Sequence, residues 1–256
     1  KYGMETVTLY LDEMLNYSER RMRAALASIP KGKYYYEDVM EGDGITDDLY
    51  TIRVTVEANG ETVTADFTES DDACPGPLNC RWPSVAASVY YVLKGALDPE
   101  LPPNAGAYRP VEVKVRSGSL LSAEYPQAVC NANIITTQRI VDCLLGALSQ
   151  AIPDKVQAAS SGTMNLLNIG GLDPRNDTYY NYIETYAGGQ GAKPDDDGMD
   201  AVQNHMTNTR NAPVESIETA YPLLVEAYEL IPHSEGPGKY RGGVGLRRKV
   251  RVEADQ

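Results

Sequence analysis

An α+β fold is predicted for this chain, with amphipathic helices and a β-hairpin early and a glycine-rich, mainly β region late. Three observations predict it. Apolar residues recur every three or four positions in three segments before residue 158, the spacing of one helix face. Strict apolar/polar alternation marks strands around Ile52–Phe67 and Val111–Val115. From residue 159 the pattern becomes short runs punctuated by Gly170-Gly171, Gly188-Gly189-Gln190-Gly191 and Gly242-Gly243-Val244-Gly245. We therefore expect two parts of one domain, 1–158 mixed helix and hairpin, 159–256 glycine-rich β.

The elements follow in order. Met4, Val7, Leu11, Met14, Leu15, Met22, Leu26 and Ile29 form one face of a helix, stopped by Pro30 and Gly32;. Arg20, Arg21 and Arg23, following Asp12, Glu13 and Glu19, read as its solvated face. Tyr34 to Asp48 reads as a polar, turn-rich approach. Ile52, Val54 and Val56 alternate with Arg53, Thr55 and Glu57, and Val63, Ala65 and Phe67 alternate again beyond Asn59-Gly60. That is a hairpin around a type I′ turn, because Asn-Gly tolerates the positive φ such a turn needs. Pro75-Gly76-Pro77 is a turn. Val85, Val89, Val92, Leu93 and Ala96 mark a buried helix over 84–97, and Ile134, Ile135, Val141, Leu144, Leu145 and Leu148 another over 134–149. Leu223, Val225 and Ala227 share one face of a late strand. Eighteen tyrosines against one phenylalanine mean that most aromatic rings carry a hydroxyl that needs a partner when packed;.

Composition narrows the function. The chain has 256 residues and a net charge of −13. That acidity argues against nucleic acid and against an anionic membrane surface as partners. No run reaches the ~18 apolar residues of a membrane span and no leader pattern is visible, so cytoplasm is the expected compartment. Four cysteines lack C-x-x-C or zinc-like spacing, and Cys143 sits within an apolar helical pattern as a small hydrophobe;. Two histidines, His205 and His233, leave little room for a histidine-rich metal cage;. Walker A, nucleophile-elbow and HExxH patterns are absent. The helical pattern at the start and the alternation near the end read as a segment of a longer chain.

Three polar clusters remain as candidate chemistry. Asp66 to Asp72 with Asn79 is either an oxygen-ligand site for a hard cation or a solvated acidic loop. Asp195-Asp196-Asp197-Gly198 lacks EF-hand spacing and reads as an exposed turn. His205, Asn208, Arg210, Asn211, Glu215 and Glu218 gather a titratable base, amides and carboxylates within fourteen residues, so that His205 is a candidate general base oriented by amides.

In this order the pieces resemble the B subunit of the hydantoinase/oxoprolinase family. The resemblance rests on Asp66-Phe67-Thr68 through Asn79, Pro103-Asn104-Ala105-Gly106-Ala107-Tyr108-Arg109-Pro110 and Thr137-Gln138-Arg139-Ile140-Val141-Asp142. It continues through Ser160-Ser161-Gly162, Glu184 with Gly188-Gly189-Gln190-Gly191-Ala192, and Asn208-Thr209-Arg210-Asn211-Ala212-Pro213-Val214-Glu215, to Tyr240-Arg241-Gly242-Gly243-Val244-Gly245. Glu69 and Asp72 depart from the family's usual Gly and Gln. The resemblance implies an ATPase partner of the hydantoinase A type that binds ATP and phosphorylates the substrate. This family's B subunit then hydrolyses an activated cyclic amide or supports carboxylation of a ketone, in a hetero-oligomer. The resemblance implies Asp66 and Asn211 as catalytic residues, beside His205 from the polar cluster, and Asn79, Asn104, Arg109 and Arg210 as substrate-binding residues. Any divalent metal would take its ligands upstream of this segment, and a structural role without catalysis is the remaining alternative.

Overall fold

The long amphipathic pattern at the start forms α1, Met4–Leu26, in the computed structural model, which describes residues 2–253. The chain forms two compact units, divided between Gln157 and Ala158. In the first unit α1 buries Ser18, Met22 and Leu26, while Met4, Val7, Leu11 and Met14 on its first half are exposed.

Four strands follow as one sheet: β1 Gly32–Glu41, β2 Leu49–Ala58, β3 Val63–Asp66 and β4 Val111–Lys114. They lie in the order β1-β2-β3-β4, with the first two pairings antiparallel and β3–β4 parallel. A parallel pair requires a long crossover. Here the crossover carries α2, Trp82–Leu97, and the short α3, Ala105–Tyr108. A π-helical turn, Ala132–Thr136, leads into α4, Thr137–Ser149, which packs on β1, β2 and α2. The core is Ile52, Val54, Val56 and Phe67 from the sheet side, Val85, Val89 and Leu93 from α2, and Ile140, Val141, Leu144 and Leu148 from α4.

Two expectations need correction here. The segment read as turn-rich holds β1. It is an edge strand in which Met40 is the buried residue and Gly32, Tyr34 and Asp38 are half-buried, so a periodic run of aliphatic residues is missing. Gly146 of α4 lets the helix lie against the Tyr36 ring, which a Cβ there would approach to 2.7 Å. Arg139 of the same helix donates to Asp38 at 2.7 Å. The hairpin turn is also different in type. Asn59 N–H donates to Thr62 C=O at 3.0 Å, so the central residues are Gly60 and Glu61. Only Gly60 has positive φ, +93°, and glycine in the first central place is the requirement of type II′.

The second unit contains two antiparallel hairpins: β5 Asn165–Asp173 with β6 Thr178–Tyr186, and β7 Leu223–Leu230 with β8 Leu246–Val252. A short helix, α5 Val214–Ala220, lies between them in the chain. Its apolar cluster is small: Tyr182, Ile217 and Leu223, with Leu167, Ile169, Tyr221, Val225 and Val250 packed on it. Main chain packs on main chain elsewhere. A Cβ on Gly189 would sit 1.7 Å from the Gly243 carbonyl oxygen, and one on Gly243 would sit 1.9 Å from that of Met199, so no side chain fits either position.

The late strand carries a β-bulge between Val225 and Ala227. Val225 pairs with Val250 but Ala227 pairs with Lys249. The expected common face of Leu223, Val225 and Ala227 is therefore broken, and Tyr228 is turned onto the face of its partner Arg248 instead;. Among the described residues no helix is long and apolar enough to cross a membrane.

Candidate functional site

The inner stripe of β6 reads Tyr182, Glu184, Tyr186, every second residue of a strand;. A carboxylate on a covered stripe must be paired, and Glu184 is. Its Oε1 accepts the Ala212 N–H at 2.7 Å. Its Oε2 accepts from the Tyr182 hydroxyl and from Arg248 Nη1. The Arg248 side chain is 0% exposed and Glu184 6%. The Arg248 guanidinium lies 4.7 Å from the Tyr228 ring centre and 5.7 Å from that of Tyr186. Among the described residues Arg248 Nε and Nη2 have no hydrogen-bond acceptor.

Asn211 fastens the adjoining loop to this stripe. Its Nδ2 donates to the Thr185 carbonyl at 2.8 Å, and its Oδ1 accepts from the Tyr228 hydroxyl at 3.0 Å. Burial, and then the bond to Glu184, pushes the Tyr182 phenol far above its ordinary range, so it stays a protonated donor;. Burial also raises Tyr186. The arrangement is a fixed cation, two neutral phenols and an oriented amide. It suits recognition of an oxygen-bearing ligand.

Beyond the end of β6 the glycine loops enclose a cavity of about 540 Å³, lined by residues 188–192 with Ser160, Ser161, Ser234 and Tyr240 among others. Asn204 Nδ2 donates to the Gly189 carbonyl at 3.1 Å, tying the histidine-bearing loop to the glycine loop. Arg241 holds the acidic turn: its Nη1 donates to Asp200 at 2.8 Å, and Asp197 lies 3.6 Å from its Nε. That guanidinium holds the Asp200 carboxyl below the usual carboxylate range.

The residues singled out from sequence are placed as follows. Asp66 accepts both the N–H and the hydroxyl of Thr68, at 2.9 and 2.6 Å, closing a local turn;. Asn79 is buried and holds four main-chain groups, the N–H and C=O of Cys74 and the carbonyls of Gly76 and Ala128. Asn104 caps α3 through Gly106 N–H and donates to Ser18 Oγ on α1. Arg109 reaches α1 through Asn16 and Glu19. These four belong to the first unit, where Asn104 and Arg109 converge on α1. His205, Arg210 and Asn211 belong to the second. His205 adopts φ +53°, Arg210 is exposed, and Asn211 alone joins the Glu184–Arg248 network. In the acidic loop, Asp71 and Asp72 pair with Arg53 and Arg116. Among the described residues no three His, Cys, Asp or Glu side chains gather as metal ligands. This segment thus offers no ligand set of its own for a divalent metal, whose ligands the resemblance places upstream.

Sequence reasoning passed over Arg248, Tyr182, Tyr186 and Tyr228. One signal was available. Leu246, Arg248 and Val250 share a strand face, which puts a guanidinium where an apolar residue is expected.

The family model for hydantoinase B/oxoprolinase matches residues 1–256. The chain belongs to that family. A relative from Pseudomonas sp. (strain NS671), named as the putative B subunit of a D-/L-hydantoinase, is 35% identical over 266 residues, covering 100% of this chain and 44% of that protein. The crystal structure of the ATP-dependent caprolactamase from Pseudomonas jessenii superposes with a TM-score of 0.87 at 28% identity, over 98% of this chain and 44% of that one. A nucleotide-free acetone carboxylase structure superposes with a TM-score of 0.81 at 19% identity, covering 92% of this chain and 34% of that one, which establishes a common fold. This family member spans less than half the length of these relatives.

Proposed function

We propose that this chain is the part of a hydantoinase-type B subunit that positions a cyclic amide for ATP-dependent ring opening. The likeness to an ATP-dependent caprolactamase over 98% of the chain carries this reading. A hydantoinase relative at 35% identity supports it, because hydantoins and caprolactam are both ring amides. The carboxylase likeness, at 19% identity, extends to fold alone, so ketone carboxylation is the weaker reading.

In the proposed division of labour an ATPase partner binds ATP and phosphorylates the amide oxygen. That makes the amide carbon electrophilic: one water adds to it, the C–N bond breaks with the ring nitrogen leaving protonated, and a second water releases phosphate from the resulting acyl phosphate, so what remains for this chain is orientation of the activated ring and of the attacking water. We assign the orienting role to the second unit. Asn211 and Arg248 offer fixed polar groups there, Glu184 and Tyr182 hold Arg248 in place, and His205 and Arg210 flank the same loop. Asp66, Asn79, Asn104 and Arg109 act through the loops they hold.

The test is co-expression with the ATPase partner. ATP turnover stimulated by hydantoin, 5-oxoproline or caprolactam is the expected result, with Asn211→Ala lowering it while the complex still assembles. Bicarbonate-dependent consumption of a ketone would establish the carboxylase reading instead. Assembly with turnover untouched by Asn211→Ala would leave this loop a scaffold.

A further inference from the structure

Arg248 has three nitrogens that can donate, and only Nη1 has a partner, Glu184. Nε and Nη2 both lack an acceptor in a side chain that is 0% exposed. Those two N–H groups point the same way, as the side-on fork of a guanidinium, and a fork of that shape matches the two oxygens of a carboxylate. Burying such donors without acceptors is unfavourable, and the pairing with Glu184, which uses Nη1, does not account for them. The cross-strand partner is a tyrosine, and the neighbours on the same face of β8 are Leu246 and Val250.

The surroundings fit a flat anion. Glu184 does not exhaust the cation, because its own charge is also held by the Ala212 N–H and the Tyr182 hydroxyl. The rings of Tyr186 and Tyr228 cover the guanidinium and supply flat apolar walls. Tyr228, whose ring lies over the guanidinium, is 48% exposed, and its hydroxyl is tethered to Asn211 Oδ1. The β-bulge before it is what brings this ring over Arg248.

We propose that the Nε/Nη2 fork of Arg248 is the binding site of a small-molecule carboxylate, with Tyr228 as the side chain that swings aside to admit it. This inference does not depend on the reaction, since it concerns binding to the chain alone.

The test is calorimetric titration of acetate into the chain without its partner, with acetamide and inorganic phosphate as the neutral and tetrahedral controls. Saturable acetate binding that neither control reproduces is expected. Arg248→Lys keeps the charge and removes the fork, and should weaken acetate by about tenfold or more. Tyr228→Phe releases the tether to Asn211 and should tighten or speed acetate binding by roughly 2- to 10-fold. The proposal is overturned if wild-type chain shows no saturable acetate binding, which would point to a protein carboxylate as the occupant. It is equally overturned if acetamide binds as well as acetate or if folded Arg248→Lys binds acetate unchanged. Should Arg248→Lys fail to fold by circular dichroism, Tyr228→Phe decides, and unchanged acetate affinity and rate in that variant overturn the proposal.

Discussion

In the first unit the large, fully buried apolar side chains include Phe67, Met22, Leu26, Ile52, Ile140 and Leu148, whereas among the described residues of the second unit Ile217 is the one large apolar side chain that reaches that depth. The first unit encloses its interior with a sheet and two helices and removes apolar surface from water. The second has little such surface to remove. Its interior is a three-residue apolar cluster, a stripe of tyrosines, a buried ion pair and glycine backbones in contact. Polar side chains in the first unit hold loops, as Asn79 and Asn104 do. Buried donors without a partner occur in both units, Gln138 Nε2 and Arg139 Nε in the first and Arg248 Nε and Nη2 in the second, but the second unit puts two of them on a single guanidinium that is 0% exposed, which is why we place ligand recognition there.

The largest effects test that contrast directly. Phe67→Ala removes a fully buried ring and should cost about 3–5 kcal/mol in chemical denaturation. Glu184→Ala leaves Arg248 buried without its counter-charge and should also cost about 3–5 kcal/mol. The two losses differ in what repairs them. Replacing the pair together, Glu184→Leu with Arg248→Met, should recover most of the stability, because an apolar pair of similar volume is often as stable as a buried ion pair. A double variant as unstable as Glu184→Ala would erase the contrast, since the pair would then be a stability device like the apolar core.

A smaller effect is pH-dependent and confined to the first unit. Asp43 is buried and accepts from the N–H groups of Thr46, Ile45 and Gly76 and from the Tyr50 hydroxyl. These bonds, the Thr46 N–H foremost, lower its pKa from 3.8 to about 2. A depressed carboxylate contributes stability that is complete above its unfolded pKa of about 4 and is lost as pH falls toward the folded value. Wild-type stability to denaturant should therefore fall between about pH 4 and pH 2, and Asp43→Asn should flatten that limb. An unchanged acid limb in Asp43→Asn would show that other carboxylates produce it. The smallest effect belongs to the exposed pair Arg247–Glu229, with side chains 60% and 53% exposed. Arg247→Ala should leave the denaturation midpoint unchanged within error, whereas its neighbour Arg248 should not be so tolerant.

That last pair of neighbours also explains what was legible in the sequence. The helices and inner strands of the first unit were legible because their covered faces are aliphatic and periodic, as Val85, Val89 and Val92 show. β1 was not, because one buried aliphatic side chain, Met40, among tyrosines and charged residues makes no periodic pattern. The turn at Gly60 was located but mistyped, since the dipeptide does not say which residue takes the first central place. At the site, motif resemblance drew attention to Asn79, Asn104 and Arg109, whose polar groups face their own loops and α1. Asn211 was singled out, and its amide bonds the Thr185 carbonyl and the Tyr228 hydroxyl. Arg248 was hidden inside Arg247-Arg248-Lys249, a run that reads as a charged surface unless strand alternation is followed through it. Tyr228 was hidden by the bulge, which shifts its face and leaves no mark in composition.

The Glu184–Arg248 pair, in this view, is kept for function rather than for stability. The decisive measurement is ring opening of a cyclic amide by the assembled complex carrying Glu184→Leu and Arg248→Met together. A folded chain that still binds the proposed ATPase partner is expected, with ring opening reduced by about 100-fold, the scale of losing a preorganised charged donor. A folded, assembled double variant that opens the ring at the wild-type rate would contradict a functional role for the pair.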